Sequence, residues 1–266
     1  MRGVYLNQSK KTVIITGGLG LLGRKSSEFF ALKGFHVIAI DIVDNHEELP
    51  EAVDYIKFDL MNISSYDSLM KKISSMTDNL VCLINNAAFN PKIEGDKKSF
   101  GRFEDLDINT WNDEVNLNLT APVFLTQALL PLFNKSSKNY CKIINIISTY
   151  GIVPPNQSIY DSLSKKNGSK IIKPIGYPVT KAGLAMVTKY LSTYLGASGF
   201  NVNGIAPGGI ENGQDQVFIN SYSKHVPMGR MARVDEMLET LYLLATPGSD
   251  YINGQIIAVD GGWTTW

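Results

Sequence analysis

The chain has 266 residues, of which 44% are hydrophobic and 19% charged, and its 25 basic and 25 acidic residues balance. This length suits one large α/β domain, and the balanced charge gives no field that favours nucleic acid or a membrane surface. No apolar run approaches the length of a membrane span, and residues 1–11 lack the apolar core of a signal peptide. The sequence therefore predicts a cytoplasmic protein with a small-molecule substrate and no nucleic-acid or membrane partner.

Short β-branched runs alternate with longer stretches of helical period. Strands are predicted at 12–16, 36–41, 54–59, 80–85, 142–148, 200–206 and 255–260. Helices are predicted near 21–33, 65–75, 108–134, 177–198 and 233–246. Several strand candidates are apolar almost throughout, as expected when helices cover both faces of a sheet. The pattern predicts one α/β domain over 11–266, a doubly wound (Rossmann) parallel sheet of seven strands flanked by helices, after an N-terminal extension at 1–10.

The cysteines and histidines give no sign of a metal site. Cys82 and Cys141 lie inside apolar strand-like runs, where buried reduced thiols are the ordinary interpretation. His36, His46 and His225 lie far apart in the sequence, and no cluster has the spacing of a zinc or iron site. No metal is therefore predicted.

The first strand runs into the glycine-rich turn TGGLGLLG, which opens a helix. The first glycine of the pattern permits a tight turn, the second lets backbone approach a pyrophosphate, and the third allows close packing of helix on strand. The N–H groups and the dipole of the helix start favour phosphate. The cofactor contacts predicted in this turn are Gly17, Gly20, Leu21, Leu22 and Gly23.

The second strand ends in Asp41, 18 residues after Gly23. A carboxylate at this position can accept hydrogen bonds from both ribose hydroxyls and would repel a 2′-phosphate. NAD is therefore favoured over NADP as the cofactor, with a solvated strand-end acid as the alternative interpretation of Asp41.

Two further strand ends supply candidate cofactor contacts. Asp59, predicted to end the third strand before Leu60, could meet the adenine amino group, although an Asp that only shapes a turn fits nearly as well. After the fourth strand, Asn86 is followed by Ala87 and Ala88, which are small enough to let a cofactor pass. Asn pairs usually form turns, so this prediction depends on the position at a strand end.

Tyr177 and Lys181 stand four residues apart at the start of a stretch with helical period, so they share one face of the predicted helix. A phenol normally titrates near pH 10, and a nearby ammonium lowers that pKa by stabilising the phenolate. Tyr177 is therefore a candidate acid/base, although many helices contain such a pair by chance. Ser148 ends the fifth strand, where its hydroxyl could bind a substrate oxygen. Asn118 interrupts an apolar helix pattern, either as a satisfied core residue or as an anchor for a proton-relay water.

The chain resembles the short-chain dehydrogenases/reductases through seven motifs in the family's order. They are TGGLGLLG, NNAA, NLTAPVFLTQALLP, IISTYG, YPVTK, NGIAPGG and GQIIAVDGGW, which span about residues 11–264. The resemblance implies an NAD(H)-dependent oxidoreductase that interconverts a secondary alcohol and a ketone by hydride transfer. The catalytic residues that it implies are Asn118, Ser148, Tyr177 and Lys181.

The resemblance also implies a role for each of these residues. Ser148 would polarise the substrate oxygen while Tyr177 exchanges its proton. Lys181 would bind the nicotinamide ribose and tune Tyr177, and Asn118 would hold a water that links Lys181 to solvent. The segment that orients the nicotinamide amide would comprise Pro207, Gly208 and the backbone near Ile210. In relatives the helices matching 108–134 and 177–198 form a dimer contact, so a homodimer or homotetramer is expected.

Three departures from the family pattern stand out. The glycine spacing is closer to the sugar-nucleotide epimerase branch, whereas the ending VDGGW and the absence of a large C-terminal domain favour the compact branch. The usual NNAG reads NNAA. Ser148 and Tyr177 are also farther apart than usual, and Tyr160 occupies the usual distance.

The choice between the two tyrosines depends on their neighbours. Lys165 follows Tyr160 by five residues, about 140° around a helix, so it would point away. The stretch after Tyr160, KKNGSKIIKPIG, lacks helical periodicity. Tyr177 is therefore preferred, and 152–175 becomes an insertion, either on the substrate side of the site or a surface elaboration.

The substrate is open at this point. The polar insertion resembles loops of bacterial short-chain dehydrogenases from surface-polysaccharide and nonulosonic-acid pathways, which favours a sugar or nucleotide-sugar. A 3-oxoacyl thioester, a steroid-type alcohol and a polyol are alternatives, and loops 89–104 and 209–228 are expected to complete the pocket. Two other classes are a sugar-nucleotide epimerase or dehydratase, which would retain its cofactor, and a nucleotide-sensing regulator without turnover.

Overall fold

Seven parallel strands form the central sheet in a computed structural model that describes residues 10–44, 49–90, 99–133 and 141–266. The described residues form nine strands in all: β1 (Thr12–Thr16), β2 (His36–Asp41), β3 (Val53–Lys57), β4 (Leu80–Asn85), β5 (Ser99–Phe100), β6 (Cys141–Ile146), β7 (Lys170–Ile171), β8 (Phe200–Pro207) and β9 (Ile256–Val259). The order across the main sheet is β3-β2-β1-β4-β6-β8-β9, while β5 and β7 pair separately. The predicted fold is thus confirmed.

The helices cover both faces of this sheet. They are α1 (Leu21–Leu32), α2 (Tyr66–Met76), α3 (Ile108–Val115), α4 (Ala121–Leu129), α5 (Asp161–Asn167), α6 (Gly176–Leu195), α7 (Gln216–Ser223) and α8 (Leu238–Ala245). A π-helical turn, Asn116–Thr120, joins α3 to α4, so the predicted helix near 108–134 is continuous with one irregularity. Of the predicted segments, 1–9, 91–98 and residue 134 lie outside the described residues, as does His46.

Two predictions at this level were wrong. The third strand ends at Lys57, so Asp59 lies in the following turn and not in the strand. The region after Tyr160 was expected to lack helical order, but α5 forms there and ends at Gly168, whose φ is +65°. Seven residues are too few to show a helical period in the sequence. Helix α7 was missed for the same reason.

Alternate side chains of each central strand enter opposite cores. Ile14 of β1 packs with α2 and α4 through residues such as Leu69 and Leu125. Its neighbours in the strand, Val13 and Ile15, pack with α1 and α8 on the other face. Because successive side chains of a strand alternate, a sheet covered on both faces needs apolar residues at every position.

One helical stretch, Ile108–Leu132, has the length and the mean hydropathy of 1.2 that a membrane span requires. The sequence was expected to contain no such run. Core helices of globular domains pass the same test, and here Leu125 and Leu129 pack in the core beside the sheet. The stretch also buries the polar side chains of Glu114 and Asn118.

Strand β1 pairs with β2 on one side and with β4 on the other. From β1 the sheet is extended to one side by β2 and β3 and to the other side by β4 and the later strands. A crevice opens between the carboxyl ends of β1 and β4. In doubly wound folds, ligands bind at this switch point. The glycine-rich turn and the NNAA run both lie there.

Candidate active site

The glycine-rich turn brings β1, α1 and β4 into close contact. Gly17 has a φ of +62°, and the N–H of Gly20 donates to its carbonyl oxygen over 3.1 Å. A Cβ on Gly23 would lie 1.9 Å from that same oxygen, so only glycine fits there. The exposed Gly20 precedes the first turn of α1, which Leu21 and Leu22 begin. The turn leaves a cradle free of side chains at a helix N-terminus, which fits a pyrophosphate.

Asn86 fastens this turn from β4. Its Nδ2 donates to the carbonyl oxygens of Thr16 and Gly17, at 2.9 and 3.1 Å. The Thr16 hydroxyl in turn accepts from the N–H groups of Asn86 and Ala87. Ala88 is exposed beyond them. The side-chain amide of Asn86 thus braces the predicted cofactor cradle from below.

Asp41 lies beside the turn at the end of β2. Its Oδ2 accepts from the Leu19 N–H over 2.9 Å, and its Oδ1 accepts from the Ile42 N–H over 2.7 Å. These bonds hold the carboxylate next to the glycine-rich turn, as a ribose ligand requires. Asp59 accepts from the Met61 N–H over 2.9 Å, which is the turn-forming role, while Leu60 is buried.

Three of the four predicted catalytic residues come together at the carboxyl end of β6. The Ser148 side chain interacts with the Tyr177 hydroxyl and lowers the pKa of Tyr177. Lys181 is buried, its Nζ donates to the Ile146 carbonyl oxygen over 2.6 Å, and it lies 5.7 Å from the centre of the Tyr177 ring. Tyr177 and Lys181 lie on the first two turns of α6, on one face of the helix, as their spacing predicted.

Asn118 lies one step away, in the π-helical turn. Its Nδ2 donates to the Phe89 carbonyl oxygen over 2.9 Å and to the Thr180 hydroxyl over 3.2 Å, and its Oδ1 accepts from the Phe89 N–H. Thr180 directly precedes Lys181 in α6. π-Helical turns occur frequently at functional sites because they reorient a side chain within a helix. Asn118 thus ties the chain after β4 to the helix that carries Tyr177.

Burial dominates the electrostatics of the site. It raises the pKa of Tyr177, while the interaction with the Ser148 side chain lowers it. Burial also lowers the pKa of Lys181 to about 7, with a further contribution from repulsion by Lys173. Burial therefore disfavours the charged form of both groups, and the pKa values of the phenol and the ammonium move apart.

Tyr160, the rival acid/base, lies near enough to Tyr177 to interact with it electrostatically, but its side chain is enclosed by packing. It is buried, its hydroxyl accepts from Tyr150, and its ring packs 5.4 Å from that of Phe218. Lys165 is exposed on α5. The 152–175 segment packs through Tyr160 against α7 and Trp263 in a separate hydrophobic cluster. Tyr160 is thus a core residue of that segment.

The predicted nicotinamide segment follows β8. Pro207 ends the strand, and the Gly208 N–H donates to the Val259 carbonyl oxygen over 3.0 Å. Ile210 forms a bridge with Ala232, and its carbonyl oxygen accepts from Gln214. This segment lies at the same carboxyl edge of the sheet as Ser148.

Two charged residues at the site were missed in the sequence. Lys173 places its Nζ 4.1 Å from the centre of the Tyr177 ring. Glu114 is completely buried and interacts electrostatically with Lys173. Helical spacing gave no signal for Lys173, because it lies before α6 begins at Gly176.

Comparison with known proteins decides the family. The family model described as enoyl-(acyl carrier protein) reductase matches residues 21–264. The chain belongs to the short-chain dehydrogenase/reductase family. It is an oxidoreductase of the class that acts on alcohol and ketone groups with a nicotinamide nucleotide.

Relatives of this short-chain dehydrogenase/reductase have diverse substrates. A 2-dehydro-3-deoxy-D-gluconate 5-dehydrogenase of Bacillus subtilis is 29% identical over 95% of this chain and 94% of its own. A 3-oxoacyl-[acyl-carrier-protein] reductase of Thermotoga maritima is 26% identical over 95% of this chain and 97% of its own. The crystal structure of a short chain dehydrogenase from Leptospira borgpetersenii with bound NAD+ is 29% identical, with a TM-score of 0.84 over 96% of this chain and 93% of that one.

Alanine at two glycines of the turn should have different effects. Gly23→Ala should lower the free energy of unfolding by about 1–3 kcal/mol, because its Cβ collides with the Gly17 carbonyl. Gly20→Ala should change that free energy by less than about 1 kcal/mol, since its nearest atom is 3.3 Å away. Gly20→Ala should nevertheless weaken NAD+ binding by crowding the pyrophosphate. Urea unfolding and calorimetric titration measure the two effects, and equal stability of Gly23→Ala and wild type would contradict the packing argument.

Proposed function

We propose that this short-chain dehydrogenase/reductase is an NAD(H)-dependent enzyme that interconverts a secondary alcohol and a ketone, with Tyr177 as the acid/base. The observation that carries the proposal is the grouping of Tyr177 and Lys181 on one face of α6 at the carboxyl end of β6, where Ser148 interacts with the Tyr177 hydroxyl. These groups lie at the same edge of the sheet as the cradle formed by the glycine-rich turn. Residues in the cradle, together with Asp41, would hold the nucleotide.

The proposed chemistry assigns each side chain a separate task. NAD, when bound, accepts or supplies the hydride. A substrate oxygen would accept a hydrogen bond from Ser148, whose side chain interacts with the Tyr177 hydroxyl, and would therefore lie beside the phenol. Tyr177 would then take the hydroxyl proton during oxidation and return it during reduction. The Lys181 ammonium stabilises the phenolate between these steps. Asn118 would order the proton path to solvent from its position beside Thr180.

Phenylalanine at the two tyrosines tests the assignment. Tyr177→Phe should lower kcat/KM about 10²–10⁴-fold, because the proton donor is lost, and should leave NAD+ affinity nearly unchanged. Tyr160→Phe is the matched control, a buried tyrosine nearby, and should keep kcat/KM within about fivefold of wild type. Near-normal turnover of Tyr177→Phe would eliminate the assignment. Tight NAD+ binding by a wild-type chain without turnover on any substrate of a broad panel would favour the nucleotide-sensing regulator.

We propose NAD over NADP because the Asp41 carboxylate faces the glycine-rich turn. Asp41→Asn removes the charge that would repel a 2′-phosphate, so the affinity for NADP+ relative to NAD+ should rise about tenfold. Asp59→Asn is the control. Asp59 would contact the adenine, which both nucleotides share, so the affinity for NADP+ relative to NAD+ should not change in this variant. Calorimetric titration measures both ratios. An unchanged ratio in Asp41→Asn would contradict the role of this carboxylate.

We propose a sugar or a sugar acid as the substrate class. The supporting observations are the polar 152–175 insertion, whose Lys173 lies over the Tyr177 ring, and a relative named as a dehydrogenase of a sugar acid. The relative named as a 3-oxoacyl reductase supports a thioester as the second candidate. A panel of aldonic acids, polyols, nucleotide-sugars and acetoacetyl thioesters, assayed with NAD(H), separates these classes. Turnover without added NAD(H) would favour an epimerase.

We also propose a cytoplasmic homo-oligomer that uses α6 as an interface. The helix exposes Met186, Tyr190 and Tyr194 along one face, each more than 60% exposed, and the two tyrosine rings stack. Exposed apolar stripes of this kind mark association surfaces.

Charge on this face should separate the subunits. The double variant Met186→Glu, Tyr190→Glu should sediment as a monomer, because two carboxylates would be buried without partners in the interface. Leu32→Glu is the matched control, since Leu32 is 87% exposed on α1 at the opposite face of the sheet. Analytical ultracentrifugation measures both. A double variant with wild-type mass would exclude α6 as the interface.

A further inference from the structure

A second lysine contacts the proposed acid/base. The Lys173 Nζ lies 4.1 Å from the centre of the Tyr177 ring, whereas the Lys181 Nζ lies 5.7 Å from it. The nearer ammonium therefore comes from the 152–175 segment and not from α6. The Lys181 Nζ is also engaged by the Ile146 carbonyl oxygen.

Lys173 is held in place by contacts at both ends. Its backbone N–H donates to Gln157 Oε1 over 2.8 Å, and its carbonyl oxygen accepts from Gln157 Nε2 over 3.2 Å. At the other end, its Nζ donates to the side-chain oxygen of Asn90, which follows β4. The two hydrogen bonds with Gln157 fix the Lys173 backbone, and Asn90 holds the Lys173 ammonium over the face of the Tyr177 ring.

Glu114 lies near this arrangement: burial raises the pKa of its carboxyl, and the charge of Lys173 opposes that rise. The Glu114 side chain is completely buried, and neither carboxylate oxygen has a hydrogen-bond partner in the described part of the chain. A Cβ on Gly176 would lie 1.8 Å from its Oε2, so the carboxylate packs directly against the first residue of α6. A buried carboxylate without hydrogen bonds is costly unless a charge nearby compensates it. Lys173 is the cation that interacts electrostatically with this carboxyl group.

We propose that Lys173 is a positioning residue that stabilises the ionised form of Tyr177, and that Glu114 is its buried counter-charge. This inference rests on the proposed role of Tyr177. When a phenol ionises, negative charge spreads into its ring, so an ammonium over the ring face attracts the phenolate more strongly than the phenol. The 152–175 segment would thereby take part in the chemistry of the site.

The other ionisable groups near Tyr177 are consistent with this role. Burial and neighbouring phenols raise the pKa of Tyr150, and burial raises that of Tyr160 to about 12, so both are neutral at pH 7. Burial lowers the pKa of Lys173 to about 8 against the attraction of Glu114, which leaves it mostly protonated. Lys181, the remaining cation, has a pKa lowered to about 7. Loss of Lys173 would raise that pKa and partly offset the effect on Tyr177.

Direct titration of Tyr177 tests the proposal without any substrate. The protein is labelled with tyrosine carrying ¹³C at Cζ, and the Tyr177 signal is identified by its loss in Tyr177→Phe. Lys173→Met should lower the acid dissociation constant of Tyr177 about tenfold, whereas Lys173→Arg should keep it within about threefold of wild type. Lys170→Met is the matched control, because Lys170 is an exposed lysine of the same segment that pairs with Asp161.

An unchanged Tyr177 titration in Lys173→Met would overturn the proposal, as would an equal change in Lys170→Met. If Lys173→Met does not fold, the double variant Lys173→Met, Glu114→Gln removes both charges and should still lower the constant about threefold. The test is separate from the proposed function. A folded Tyr177→Phe enzyme with normal turnover would refute the role of Tyr177 in catalysis, whereas the titration reports on Lys173 alone.

Discussion

The contact between the carboxyl ends of β1 and β4 is the constraint on which the rest of the site depends. Thr16 accepts two backbone N–H groups from the chain after β4, and Asn86 returns two hydrogen bonds to the turn after β1. A Cβ on Gly17 would lie 2.8 Å from the Cα of Ala87, so the two chains meet without room for a side chain. These contacts fix the shape of the turn from which α1 begins.

The same edge of the sheet accounts for the position of the proposed catalytic groups. The carboxyl ends of parallel strands lie at one edge of the sheet. Ser148, after β6, and Pro207, at the end of β8, therefore lie at the same edge as the proposed cofactor cradle. Helix α6 then brings Tyr177 and Lys181 across this edge on a single face. The π-helical turn performs a similar task for Asn118, which would otherwise lie in a regular apolar helix.

Sequence reasoning succeeded where a periodic signal was long and failed where it was short. Strands such as β1, β2 and β4 are apolar on both faces, so their runs stood out, and the Tyr177–Lys181 pair was recognisable from its helical spacing. Helix α5 has seven residues and no apolar period, so it resembled a loop. Lys173 lies before the helix start, where spacing gives no direction for a side chain. The position of Lys173 over the Tyr177 ring depends on its backbone hydrogen bonds with Gln157, a residue 16 positions earlier in the chain.

The 152–175 segment explains how the family arrangement survives a longer connection between Ser148 and Tyr177. The segment folds on its own apolar residues, with Tyr160 turned into a cluster with Phe218 and Trp263. Because Tyr160 is consumed by that packing, the tyrosine at the usual family distance is not free to reach a substrate. The segment returns through β7 to the start of α6, and it leaves Lys173 beside Tyr177 as it does so. The added residues thus place a second lysine beside the proposed acid/base, which keeps its interaction with Ser148.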